Sequence, residues 1–315
     1  MRILREWVGR GAAILFLALA LSMVPAAAFA DGRVHCGDVL TEDTVLKNDL
    51  TDCPGDGLII SVDGVTVDLN GHQIDGTNAA GSAGIRNQGH DDVTIKDGDL
   101  AGLDIGEFKN GILLRGAEHN RVIGLRVEGS YAIALFNSHF NVIRGNDALG
   151  GAFNQCGAVR GASIALFNSN GSNGNDIQRN AAQLSDFGIA LVASQRNLLE
   201  ENQSAPSDSD GNQCFGIYVA DSNRNVVRNN VADNNDIDGI FVLADSHNTR
   251  IVDNRAKFNG DDGIDVNPSG TTITRNTANV NGDLGIEAVP GVTDGGGNVA
   301  SDNGDPRQCV NVECN

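Results

Sequence analysis

Short apolar segments alternate with polar corners along most of this chain. Residues 215–236 show the arrangement. Ile217 and Val219 are separated by one residue, a polar turn follows, and Val226 and Val227 begin the next apolar segment. Alternation with a period of two is typical of strands, and Asn or Gly between such segments is typical of turns. The pattern predicts three short strands joined by tight corners.

Two columns of equivalent residues show that this unit repeats. Repeats of this length, built from strands without helical periodicity, predict a parallel β-solenoid in which each repeat forms one coil. Asparagine suits the corners because it tolerates left-handed backbone geometry and can hydrogen-bond along a stack. The isoleucine column, at intervals of 21 to 31 residues, is Ile85, Ile112, Ile133, Ile164, Ile189, Ile217, Ile240, Ile264 and Ile286. The asparagine column is Asn146, Asn180, Asn202, Asn230, Asn254, Asn276 and Asn303.

These columns make residues 55–305 resemble the right-handed parallel β-helix proteins, a secreted class related in shape to pectate lyases and polygalacturonases. The consensus of leucine-rich repeats, L-x-x-L-x-L-x-x-N, is absent. The resemblance implies an all-β, single-stranded right-handed parallel β-helix with capped ends and about ten coils between Ile60 and Ile286. It does not choose a function, because this fold supports lyases, hydrolases, epimerases and non-catalytic surface proteins.

The chain ends are predicted to lie outside the repeat. Residues 1–30 combine a basic start, an apolar run and the small-x-small sequence Ala28-Phe29-Ala30, which predicts a cleaved signal peptide and a secreted or periplasmic protein without a membrane span after cleavage. We expect residues 31–54 to form an amino-terminal cap and residues 306–315 a carboxy-terminal cap.

The charge of the mature chain narrows the choice of partner. The sequence has 22 basic and 41 acidic residues, and removal of three arginines and one glutamate with the signal peptide leaves 19 and 40, a net charge of −21. Such a charge excludes nucleic acid as a partner. It also repels polyanions unless calcium or a local basic patch holds them. A polysaccharide or other glycan is the expected partner, with no cofactor except calcium as an option.

All six cysteines lie in the exported part of the chain, and an even number there favours disulfides over thiolate chemistry. The cysteines do not show the C-x-x-C spacing that is typical of a metal site. Two pairs would pin the ends of the solenoid and one would join two long loops. The expected pairs are Cys36 with Cys53, Cys156 with Cys214, and Cys309 with Cys314.

Strand alternation points the residue after each ladder isoleucine outwards. We predict that four of these outward residues bind substrate, because sugar rings stack on aromatic faces while carboxylates bind hydroxyls. The alternative is that a loop covers the apolar part of the column. The column runs Leu113, Ala134, Ala165, Ala190, Tyr218, Phe241, Asp265 and Glu287, and the last four are the predicted binding residues.

Three carboxylates in the corner before this strand are candidate catalytic residues. Asp238 precedes one ladder isoleucine, and Asp261 and Asp262 precede the next, so stacking brings them together. This set resembles the inverting catalytic aspartates of polygalacturonase-type glycosidases. The Gly-His-Gly and Arg-x-Lys sequences of that family are absent. The alternative is that each Asp only caps its own turn.

Three functions therefore stay open. The first is a carbohydrate-associated protein that binds a glycan or hydrolyses a polysaccharide. The second is a non-catalytic structural or adhesive surface protein. The third is a periplasmic metal-handling β-helix protein, in which His119, His139 and His247 would be the metal ligands. These histidines are explained equally well as polar residues at the corners of the coils. No metal site is predicted.

Overall fold

The computed structural model describes residues 33–77, 79–100, 108–167, 171–204 and 211–315. The predicted signal peptide lies outside these ranges. The described residues form strands and turns without a helix, so none of them makes a helix that could cross a membrane. The strands follow one another along a right-handed parallel β-helix of about 11 turns.

One face of the solenoid is a parallel sheet of 12 strands that runs from end to end. Its strands in spatial order are β1 (Asp38–Leu40), β4 (Leu58–Ile60), β7 (Ala79–Gln88), β9 (Phe108–Arg115), β11 (Tyr131–Phe136), β14 (Ala162–Phe167), β17 (Phe187–Val192), β19 (Phe215–Ala220), β21 (Ile240–Val242), β24 (Ile264–Val266), β27 (Ile286–Ala288) and β30 (Cys309–Val310).

The other strands complete the coils on two further faces. The second face holds β2 (Thr44–Val45), β5 (Thr66–Asp68), β8 (Thr94–Leu100), β10 (Arg121–Glu128), β12 (Val142–Arg144), β15 (Asp176–Gln178), β18 (Leu198–Glu200), β20 (Val226–Arg228), β22 (Arg250–Val252), β25 (Thr272–Thr274) and β28 (Thr293–Gly296). The third holds β3 (Leu50–Cys53), β6 (Ile74–Gly76), β13 (Asp147–Leu149), β16 (Ala181–Gln183), β23 (Arg255–Lys257), β26 (Thr277–Asn279) and β29 (Val299–Ser301).

The predicted isoleucine column is in register through nine consecutive coils, from Ile85 to Ile286, and every member is fully buried. In the coil before it the equivalent residue is Leu58 rather than Ile60. Strands β1, β2 and β3, in the segment expected to be the amino-terminal cap, pair with β4, β5 and β6. This earlier coil explains why there are about 11 turns.

Asparagines form three buried ladders rather than one. In each, the Nδ2 of one Asn donates to the Oδ1 of the next, as from Asn254 to Asn276 at 3.0 Å. The last member of the predicted ladder is wrong, because Asn276 bonds to Asn298, whereas Asn303 ends a parallel ladder five residues further along each coil. The ladders are Asn87, Asn120, Asn141, Asn175, Asn197 and Asn225; Asn146, Asn180, Asn202, Asn230, Asn254, Asn276 and Asn298; and Asn212, Asn235, Asn259, Asn281 and Asn303.

Left-handed geometry at these corners falls on the residue before the ladder asparagine. Arg179, Asp253 and Arg275 have φ values of 55°, 57° and 52°, and each precedes a member of the central ladder. Two of these preceding residues are themselves asparagines, Asn229 and Asn234, with φ values of 55° and 57°, whereas the ladder asparagines do not take this geometry. Their role is to bond the coils, because the Nδ2 of Asn254 also donates to the carbonyl oxygen of Val227 at 2.9 Å.

The disulfides join Cys36 to Cys53, Cys156 to Cys214, and Cys309 to Cys314, the three pairs expected from the sequence. The first links β3 to the segment just before β1, and the third lies at the carboxyl end, so both constrain coils that have a neighbour on one side only. The middle pair ties a long loop, residues 150–161, to the residue before β19.

Candidate functional site

The outward column of the first sheet is in register as predicted. Ala190 pairs with Tyr218, Tyr218 with Phe241, Phe241 with Asp265, and Asp265 with Glu287. Tyr218, Phe241 and Asp265 are half-buried and Glu287 is exposed. Four neighbouring coils therefore place two aromatic rings and two carboxylates in one line on the outer surface, which we call the aromatic–acidic strip.

Two buried phenylalanines support the aromatic half of the strip. The ring centroids of Phe215 and Phe241 lie 4.9 Å apart in a stacked arrangement, and those of Phe187 and Tyr218 lie 5.0 Å apart at 63°. Phe187 and Phe215 come two residues before a ladder isoleucine, so strict alternation would point them into the core. They pack instead in the outer apolar cluster with Ala190, and the sequence reasoning missed them for this reason.

Residues 150–161, which we call the covering loop, close over the small part of the outward column. Ala165 and Ala190 beneath it are fully buried. The loop is held by its disulfide and by Asp186, whose Oδ1 accepts from the backbone N–H groups of Phe153 and Asn154 at 2.8 and 2.9 Å. A loop therefore covers the alanines, as the alternative interpretation expects, but it leaves the strip partly open.

Of the three predicted catalytic aspartates, two are buried between coils and one is exposed. Asp238 and Asp262 expose 4% and 3% of their surface, whereas Asp261 faces solvent. The backbone N–H of Asp262 donates to the Oδ1 of Asp238 at 2.9 Å, and that of Leu284 donates to the Oδ1 of Asp262 at 2.7 Å. Each buried carboxylate thus caps the next coil rather than its own turn.

Asp262 also joins two groups of carboxylates in which one oxygen per residue lies within 4.8 Å of the others. One group is Asp262, Asp265 and Glu287, and the other is Asp261, Asp262 and Asp283. The acidic end of the strip therefore meets one predicted catalytic residue, Asp262, directly. Asp238 contacts this cluster through the backbone of Asp262.

The surroundings of these carboxyls favour the protonated form. Burial is the main cause that raises the pKa of Asp262 to about 8. The negative charges of Asp238 and Asp261 and a hydrogen bond with Glu287 contribute to this rise. Burial likewise raises the pKa of Asp238 to about 7. Burial, and to a smaller extent the charge of Glu287, raises the pKa of Asp265 to about 6, while a hydrogen bond from Asn267 lowers it. Near neutral pH the cluster holds protons that isolated aspartates would have lost.

Metal chemistry at this site is limited by the ligands. Among the described residues, the groups with metal-binding geometry contain only carboxylates, which suit hard cations such as calcium. All six cysteines are in disulfides, and neither methionine is within the described ranges. His139 Nδ1 accepts from the N–H of Asn173, and His119 stacks on Phe140. Among the described residues, no group of three potential metal ligands therefore contains a histidine or a cysteine.

Solved structures similar to this one share its architecture. The Dettilon tailspike protein gp208 matches with a TM-score of 0.59 and 17% identity over 87% of this chain, which spans 60% of the tailspike chain. The A-module of the Azotobacter vinelandii mannuronan C-5 epimerase AlgE6 matches with a TM-score of 0.56 and 15% identity, over 83% of this chain and 73% of that one. The chain is a right-handed parallel β-helix protein.

By sequence, part of the chain matches one protein family. Residues 156–303 of the β-helix protein, just under half of the chain, match a family described as periplasmic copper-binding protein (NosD). A variant of the periplasmic alginate epimerase AlgG matches by structure with a TM-score of 0.53 and 15% identity, over 89% of this chain and 75% of that one. A comparison with curated protein sequences finds no match.

Proposed function

We propose that this β-helix protein is exported and binds a glycan along the aromatic–acidic strip. The observation that carries the proposal is the line of Tyr218, Phe241, Asp265 and Glu287 on four consecutive coils. Three disulfides support export, because such bonds persist outside the reducing cytoplasm.

The strip has the chemistry that a sugar chain needs. Partly exposed aromatic faces receive the apolar face of a pyranose ring, and carboxylates accept hydrogen bonds from its hydroxyl groups. Three coil steps of about 4.8 Å make the strip about 14 Å long, which is enough for more than one ring. The four residues carry no positive charge, so a neutral glycan suits the strip better than a polyanion.

Similar folds make polysaccharides the first ligands to test. Two of the structural neighbours are epimerases whose names refer to mannuronan and alginate. Their low identity to this chain limits the comparison to the fold, so the choice of ligand depends on the strip itself.

The experiment is a binding assay against a panel of plant, algal and microbial polysaccharides, with the mature protein and two variants. Phe241→Ala removes a ring of the strip, and we expect it to weaken binding roughly tenfold. Phe258→Ala is the matched control, because Phe258 is 55% exposed and belongs to no aromatic cluster of the described residues. Equal affinity of the two variants would contradict the proposal. No binding by the parent would leave the structural or adhesive function as the better explanation.

Hydrolysis is a second candidate function, favoured by the protonated Asp262 beside Glu287 and Asp265. A buried acid with a raised pKa next to more exposed carboxylates resembles the acid of a glycosidase. One oxygen of each residue in this group lies within 4.8 Å of the others. The group shares only Asp262 with the set Asp238, Asp261 and Asp262 of the polygalacturonase resemblance, so it does not reproduce that catalytic set.

Turnover is tested by reducing-end and unsaturated-product assays on the same panel, with and without calcium. A hydrolase that uses Asp262 as its acid loses turnover in Asp262→Asn while keeping glycan affinity. Products formed equally by parent and variant would remove Asp262 from catalysis. Copper handling, which the family description would imply, is not proposed, because among the described residues the groups of three potential metal ligands contain neither histidine nor free cysteine.

A further inference from the structure

Residues of the covering loop and of two strands of the first sheet line a pocket. It lies against β9 and β11, encloses about 230 Å³, and is lined by Lys109, Tyr131, Phe153, Gln155 and Arg160. We infer that this pocket binds a compact organic anion, a single ring that carries a carboxylate or sulfate group. The inference goes beyond glycan binding at the strip and does not depend on it.

Charge is the first argument. The mature chain has about twice as many acidic as basic residues, and eight Lys or Arg side chains of the described part form ion pairs with carboxylates. Within that same part of the chain, neither Lys109 nor Arg160 has an ion-pair partner. Two cations that converge on one pocket of an acidic protein offer charge-assisted hydrogen bonds to an anion.

The aromatic walls give the pocket a preference for a ring. The Nζ of Lys109 lies 5.1 Å from the ring centroid of Tyr131 and 6.0 Å from that of Phe153. The cation therefore sits over both rings, where it can contact the charged group of a ligand whose flat face stacks on Phe153. The Gln155 amide adds a donor and an acceptor for hydroxyl groups.

The walls are preorganised, which reduces the entropy cost of binding. The hydroxyl of Tyr131 donates to the carbonyl oxygen of Val159 at 2.8 Å, and the Cys156–Cys214 disulfide anchors the middle of the covering loop. The two ends of the loop meet so closely that a Cβ on Gly161 would lie 1.8 Å from the Gly151 oxygen. Only glycine fits at this contact, so the two ends of the loop lie in direct backbone contact.

Size and position separate this pocket from the strip. A volume of about 230 Å³ is below the roughly 300 Å³ of the smallest typical ligand sites, which suits one ring rather than a chain. Tyr131 is three coil steps from Tyr218, the nearest residue of the strip, or about 14 Å at strand spacing. A neutral glycan on the strip and an anion in the pocket can therefore bind at the same time.

The test is isothermal titration of the mature protein at low ionic strength with three probes of the same ring size. These are glucuronate, glucose 6-sulfate and glucose, which separate a carboxylate, a sulfate and a neutral sugar. The variants are Lys109→Gln and Arg160→Gln, with Arg250→Gln as a control that makes the same charge change at an exposed site on β22. Thermal melting of each variant checks that it is folded.

We expect at least one anionic probe to bind about tenfold more tightly than glucose, and each pocket variant to weaken that binding about tenfold while Arg250→Gln has little effect. The inference is overturned if glucose binds as well as both anions, if neither anion binds at millimolar concentration, or if all three variants lose the same affinity. Phe241→Ala should leave anion binding intact, so failure here is distinguishable from failure of the proposed glycan site.

Discussion

The buried carboxyl of Asp262 makes the stability of the solenoid depend on pH in a direction that can be worked out. Its pKa in the folded protein is about 8, against an ordinary value of 3.8. Between these values the folded state holds a proton that the unfolded chain has released. The free energy of unfolding therefore falls as the pH rises through this window, by about 1.4 kcal/mol per pH unit.

Replacing Asp262 by asparagine should remove the share of this dependence that Asp262 contributes, while Asp238 and Asp265, whose pKa values are also raised, keep theirs. The Asn Oδ1 can still accept from the Leu284 N–H, and its amide can donate to Glu287, so the geometry is kept while the titrating group is lost. We expect Asp262→Asn to be more stable than the parent at pH 8, and this advantage to shrink by at most about 4 kcal/mol between pH 8 and pH 5, three pH units at about 1.4 kcal/mol each. Asp262→Ala should cost about 1–3 kcal/mol at pH 5, because the N–H of Leu284 is left unpaired.

The assay is thermal or guanidinium unfolding of the mature proteins at pH 5, 6.5 and 8. For a chain of this size, 1 kcal/mol corresponds to a change in Tm of about 2–4 °C. Asp245→Asn is the control, because Asp245 is exposed and lies in neither carboxylate group. The reasoning would be refuted if the Tm of the parent did not fall between pH 5 and pH 8. It would also be refuted if Asp262→Asn and Asp245→Asn changed the Tm equally.

Two further predictions concern the coils and the covering loop. Asn254→Ala removes the hydrogen bonds to Asn276 and Val227 and leaves buried polar groups unpaired, so we expect the free energy of unfolding to fall by about 3–5 kcal/mol. Asn315→Ala, at the exposed carboxyl end, is the control and should have little effect. Replacing Cys156 and Cys214 together by serine should lower stability by about 2–4 kcal/mol and weaken anion binding in calorimetry, because the loop loses its anchor; unchanged anion affinity would show that the disulfide does not shape the pocket.

Much of the fold could be predicted because every coil of a solenoid repeats the same pattern of inward-facing and outward-facing residues. The column from Ile85 to Ile286 and the outward column from Leu113 to Glu287 are both in the predicted register. Side-chain alternation sets which residues face inwards, and stacking aligns the residues that do so. The strip of Tyr218, Phe241, Asp265 and Glu287 follows from the same rule, so its alignment needed no tertiary information.

The asparagine ladders show where a repeat becomes ambiguous. Most later coils carry two asparagines five residues apart, and spacing alone could not tell that Asn298, rather than Asn303, continues from Asn276. Coil lengths vary by up to ten residues, so the register at a corner depends on which backbone it contacts.

The chemistry of the site was decided by tertiary structure. The sequence indicated that Asp238, Asp261 and Asp262 come close together, but only the stacked coils show that two are buried against the backbone of the next coil while Asp262 meets Asp265 and Glu287. Burial sets the pKa values of these carboxyls, and burial depends on neighbours from other coils. The anion pocket likewise brings Lys109 of β9 together with Arg160 of the covering loop, which the Cys156–Cys214 disulfide anchors. The periodic pattern of the sequence determines the coils, whereas contacts between residues far apart in the chain determine what the surface can bind.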